Sequence, residues 1–118
     1  MTISREVRII ALWRDDPTEA PLTVDLRIDP ETGGVIGHWD VFGAFDLDGK
    51  SCRPFVLRED GTIEFGEGDQ GRLPPRGTNL RHVAIKVGSE FVVRWNDEDC
   101  GIYRIVKVAV LGAKGGAR

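Results

Sequence analysis

At 118 residues and a net charge of −3, the chain has the size of one domain, and folding at that length removes roughly two-thirds of its surface from water, enough for a single core. Hydrophobic residues at 41% and charged residues at 30% exclude a disordered chain, a coiled coil and a collagen. No apolar run approaches the roughly 20 residues that cross a bilayer as a helix, and the opening residues lack the basic-then-apolar layout of a secretion signal, so a cytoplasmic setting without membrane contact is expected.

In chain order, residues 6–13 place Val7, Ile9, Ala11 and Trp13 on one face, while Ile10 and Leu12 make the other face apolar toward the end, the mark of a central strand. Residues 22–28 alternate most cleanly, with Leu22, Val24, Leu26 and Ile28 against Thr23, Asp25 and Arg27. Turn residues Asp29 to Gly34 follow, and residues 35–39 resume an extended pattern, which predicts a hairpin. Strands are further predicted over residues 41–47, 52–57 and 62–65, separated by turns at Asp48-Gly49-Lys50 and Glu59-Asp60-Gly61. Pro54 has no N–H for a ladder, so its strand belongs at an edge or carries a bulge.

The last third predicts a tight hairpin, in which Val83, Ile85 and Val87 share a face, Gly88-Ser89 turns, and Phe91, Val93 and Trp95 form the core face of the returning strand. Residues 102–111 are apolar on both faces, as in a long strand passing through a core. Residues 112–118 are a glycine-rich basic tail, expected to be flexible. With no helical stripe longer than two turns, the expected fold is all-β: one small β-barrel or β-sandwich of about eight short, mostly antiparallel strands over residues 1–111.

Residues that carry chemistry are sparse. Asp46-Leu47-Asp48-Gly49 fails the calcium-loop pattern, because the first ligand position falls on Ala44 and the twelfth on Phe55, so it reads as a hairpin turn. The run Asp97-Glu98-Asp99 reads as a solvated loop tip. Cys52 and Cys100 have no metal or disulfide-scaffold spacing and read as reduced thiols. His38 and Asp40 share a strand face, a base beside a carboxylate with no nucleophile; His82 points outward; and no serine sits in a nucleophile elbow. No catalytic residue, metal or cofactor is assigned, and the reading leans away from an enzyme.

Gly37-His38-Trp39 resembles the Gly-x-Trp motif of lipocalin-like barrels, a likeness that implies a tryptophan closing one end of a ligand cup; there the motif lies on the first strand, whereas here two strand-like runs precede it. Residues 101–106, Gly-Ile-Tyr-Arg-Ile-Val, resemble the closing hairpin of small SH3-like barrels, including some phage head-to-tail adaptor proteins.

Charge is uneven: residues 1–71 hold 15 acidic and 7 basic side chains, and residues 72–118 hold 4 acidic and 9 basic. Arg81, Lys86, Arg94, Arg104 and Lys107 would supply a nucleic-acid stripe, but the neighbouring aromatics lie on the core face and the overall charge is acidic. Residues 66–79 read as a loop of fourteen residues, flexible through Gly66, Gly68 and Gly71 and stiffened by Pro74 and Pro75. Within it Arg72 and Arg76 flank Leu73, a pattern suited to clamping an acidic group beside an apolar anchor. The leading functional expectation is therefore a non-enzymatic module that binds another protein through its loops or an exposed edge. The alternatives are a small-ligand-binding barrel lined by Trp13, Trp39 and the phenylalanines, and, last, a nucleic-acid-binding barrel; self-association stays open.

Overall fold

The computed structural model describes residues 4–18, 20–46, 52–65, 76–95 and 99–111. Among these residues, eight antiparallel strands form one sheet that rolls into a nearly closed barrel. They are β1 (Arg5–Trp13), β2 (Leu22–Ile28), β3 (Val41–Asp46), β4 (Cys52–Leu57), β5 (Ile63–Phe65), β6 (Gly77–Thr78), β7 (Glu90–Arg94) and β8 (Cys100–Val110). Their order around the sheet is β5-β4-β3-β2-β1-β8-β7-β6. Closure comes from a bridge between Thr62 and Gly77, where Ile63 N–H donates to the Arg76 carbonyl and Thr78 N–H to the Gly61 carbonyl, each at 2.9 Å.

The alternation in β2 maps directly onto the barrel: Leu22, Val24, Leu26 and Ile28 are buried, and Thr23, Asp25 and Arg27 face outward. β1 is central, as expected, between β2 and β8. The interior is filled by side chains. Phe45 is the hub, with its ring 5.2 Å from Phe55, 6.2 Å from Phe65, 6.0 Å from Trp95 and 6.2 Å from Tyr103. Burying each such ring contributes about 2–3 kcal/mol, and offset or edge-on pairs add somewhat under 1.5 kcal/mol each.

Three expected segments change. Residues 83–87 are not a strand. Leu80–His82 forms one 3-10 turn, and the chain then runs outside the sheet ladders, with Leu80 and Ile85 buried in the core and Val87 exposed. The Ile85 N–H donates to the Gly33 carbonyl at 2.8 Å, so the segment bonds to the β2 turn rather than to a neighbouring strand. Residues 35–39 likewise contribute only a bridge, Ile28 to Val35, before leaving the sheet. The third change concerns the loop expected over residues 66–79, because its end belongs to the fold: Gly77–Thr78 is β6, paired with β7.

A bulge explains why β8 is apolar on both faces. Its register against β1 slips between Ile10 and Ala11, so Ile10 pairs with Lys107 while Ala11 pairs with Ile105. Val106 is the extra residue. The slip reverses the face parity, so Tyr103, Ile105, Val108 and Val110 all lie on the side of the inward residues of β1. The edge or bulge expected from Pro54 is not found: β4 lies between β3 and β5, and its register against β3 runs unbroken through Pro54. By alternation the proline nitrogen faces the β5 side, where the described ladder stops at Phe55 and Phe65. Among the described residues, no helix is long and apolar enough to cross a membrane.

Candidate functional site

Of the loop residues singled out from sequence, Arg72 and Leu73 lie outside the described residues. Arg76 is exposed immediately before β6, with its backbone tied on both sides: its N–H donates to the Arg94 carbonyl at 2.8 Å and its carbonyl accepts from Ile63. The acidic runs fall largely outside the described residues too. Asp46 is described and pairs with Cys52, and the turn expected at residues 48–50 lies outside the described residues. Cys100 is an exposed free thiol, and the Cys52 side chain lies outside the description.

The other candidates are dispersed. His38 is almost fully exposed and lies with Nδ1 3.0 Å from Glu59 rather than beside Asp40, which pairs with Arg58 at 2.9 Å. Trp39 does not close the barrel. Its ring lies outside, half exposed, between Gly37 and the Arg27 guanidinium, 5.3 Å from the ring centre. Gly37 has φ +105, a conformation that favours glycine, and an added Cβ would displace the indole. The basic stripe is divided as well: Arg104 pairs with Glu90 at 3.0 Å, and Arg81 turns onto the carbonyls of Trp39, Leu57 and Arg58.

A hollow of about 360 Å³ lies along the closing seam, its walls carrying Asp60, Thr62, Asn79, His82, Arg94 and Cys100. It exists because Gly77 stands between Thr62 and Arg94 in the outward row and has no side chain to fill the gap. Gly61 is equally constrained, with φ +93 and an added Cβ only 2.6 Å from the Thr78 carbonyl oxygen. The Asp60 carboxyl is held below the usual range, chiefly by the Thr62 hydroxyl and then by the Thr62 N–H at 2.9 Å. Asn79 is committed to the Val92 N–H at 2.8 Å. Among the described residues no three His, Cys, Asp or Glu side chains come together as a metal-binding group.

The feature that sequence reading did not locate is a strand edge that has no partner among the described residues. β7 accompanies β8 only from Cys100 to Arg104, and residues 88–89 extend that contact to Ile105. Beyond Ile105, no strand among the described residues lies on that side of β8. The direction of its backbone groups follows from one bond: Leu111 N–H donates to the Glu6 carbonyl at 2.7 Å, so Lys107, Ala109 and Leu111 face β1. By alternation Val108 and Val110 direct their N–H and C=O groups to the open side. The side chains along this edge are apolar: Val106 is 42% and Val110 47% exposed, and Val108 is half-buried against the core. Lys107 is the one charge between 106 and 110.

The class defined by these observations is a small all-antiparallel barrel with a side-chain core, whose surfaces among the described residues include its seam, its outer face and the edge of β8 beyond Ile105. Comparison with protein-family models, with curated proteins and with solved structures finds no match.

Proposed function

We propose that this chain is a non-enzymatic interaction module to which a protein partner adds an extended segment along the free edge of β8. The supporting observation is the pair Val108 and Val110, whose backbone donors and acceptors face away from β1 on an exposed valine-rich strand. An unpaired row of this kind is a template for another strand, with main-chain hydrogen bonds supplying affinity and alternate side chains supplying choice. The reading also fits the interior, where packed rings occupy the space in which a ligand-binding cup would hold its ligand.

The test is selection of displayed random heptapeptides on the full chain, followed by binding measurements on Val110→Pro. That substitution removes an N–H on the open side and leaves the β1 ladder intact, as proline is tolerated at strand edges. Enriched peptides should alternate apolar residues and lose at least about tenfold in affinity on the variant, as expected when a main-chain bond is removed and a ring is set in the way. Failure to enrich any peptide, or binding unchanged by Val110→Pro, overturns the proposal.

A further inference from the structure

We infer that the partner that best fits this edge is a second copy of the same chain, joined β8 to β8 about a two-fold axis through Ala109; the inference rests on strand addition at β8 proposed above. The groups to be satisfied are the N–H and C=O of Val108 and Val110. An antiparallel copy centred on Ala109 sets Val108 against Val110 of the second chain and Val110 against its Val108. Both are hydrogen-bonded pairs, so every open group of the two residues finds a partner in the other copy. Other centres do less. An axis on Val108 sets the inner Val110 against the bulge residue Val106, where the ladder is broken, and an axis on Lys107 sets two ammonium groups face to face.

Side chains agree with the same centre. Ala109 faces β1 with its backbone, so across the axis it meets its own copy in a non-hydrogen-bonded pair, the arrangement with the closest side-chain approach, at about 4.5 Å between Cα atoms. The smallest side chain of residues 106–111 stands at that point. Lys107 then lies opposite Leu111, so no like charges oppose. Val110, 47% exposed in the single chain, is covered by Val108 of the copy. The contact is isologous and closes on itself, which blocks further addition at the edge. Two short strands bury less than the roughly 1,200 Å² of a stable interface, so the dimer is expected to be weak and concentration-dependent.

Sedimentation of the full chain from about 10 μM to about 1 mM reads this directly, a range that spans weak, transient association. The wild type should shift toward dimer across the range, and Val110→Pro and Ala109→Glu should remain monomeric with an unchanged thermal melt. Ala109→Glu brings two carboxylates together at the axis but leaves the open backbone groups available, so it should still bind the heptapeptides selected above. With Cys52→Ser and Cys100→Ser in place, Ala109→Cys should form an intermolecular disulfide on mild oxidation, since that Cα separation lies within the disulfide range of roughly 4.4–6.8 Å, while Val87→Cys should not. A wild type that stays monomeric at the highest concentration while the peptides still bind overturns the second copy and leaves strand addition standing. Absence of both dimer and peptide binding overturns the two together. A dimer unaffected by Val110→Pro and Ala109→Glu uses another surface and also overturns the inference.

Discussion

The buried hydroxyl of Tyr103 donates to the carbonyl of Ala20 at 2.9 Å, tying β8 to the one described residue other than glycine that has a positive φ, 53°. The bond joins positions 83 residues apart and fixes the entry to β2. Tyr103→Phe keeps the ring packing on Phe45 and Phe91 but withdraws this donor from a buried carbonyl. A loss of about 1–3 kcal/mol is expected in urea unfolding. Ala20→Gly relieves the left-handed strain but frees the unfolded chain, so it should change stability by less than about 1 kcal/mol.

Arg81 donates to the Arg58 carbonyl at 2.9 Å, the Trp39 carbonyl at 2.6 Å and the Leu57 carbonyl at 3.0 Å, holding the segment before β3 against the end of β4. A planar fork reaches all three, whereas one ammonium does not. Both Arg81→Ala and Arg81→Lys should therefore lower stability by about 1–3 kcal/mol, and rescue by lysine would show that charge alone suffices. Changes in Trp39 fluorescence should accompany the loss.

Gly43 lies beneath the Phe55 ring. A Cβ there would stand 2.6 Å from Phe55 Cζ and 2.6 Å from the Thr23 carbonyl oxygen, and the second of these is backbone that cannot swing aside. Gly43→Ala should lower the melting temperature by several degrees, corresponding to about 1–3 kcal/mol of overpacking. Ala44→Ser, on the outward face one residue on, should stay within about 0.5 kcal/mol.

Glu90 accepts from Arg104 at 3.0 Å and from Arg14 at 3.3 Å, and the Arg104 bond is the main cause that holds its carboxyl below the usual range. Asp60 is lowered in the same direction by Thr62. For a group whose folded pKa is depressed, the stabilisation is fully present above its unfolded value, near 4, and disappears as pH falls through the folded value. Melting temperature should thus fall on acidification below about pH 4, and Glu90→Gln with Asp60→Asn should flatten that fall. An unchanged acid slope in the double variant would show that these carboxyls do not govern it.

What the sequence determined by itself was the kind of surface each strand presents. Leu22 to Ile28 alternate because successive side chains leave a strand on opposite faces, and the structure buries those four apolar residues as that rule requires. Seven of the eight strands among the described residues could be found this way, whereas Pro54, which signals an edge or a bulge, sits in a strand between two others. Tertiary structure decided what periodicity does not encode. Val83, Ile85 and Val87 alternate like a strand, but the Ile85 N–H donates to the Gly33 carbonyl, so the run packs Ile85 into the core without joining a ladder. β6 is two residues long, too short for any period, and is defined by its pairing with Arg94 and Val93 of β7 on one side and by the Thr78 N–H bond to the Gly61 carbonyl on the other. Apolar residues on both faces of β8 came from one extra residue at Val106, which reverses parity without leaving a signal in composition. The free edge at Val108 and Val110 was out of reach for the same reason: alternation tells which face a side chain takes, whereas which backbone groups lack a partner depends on where β7 ends, and that is set by contacts distant in the chain.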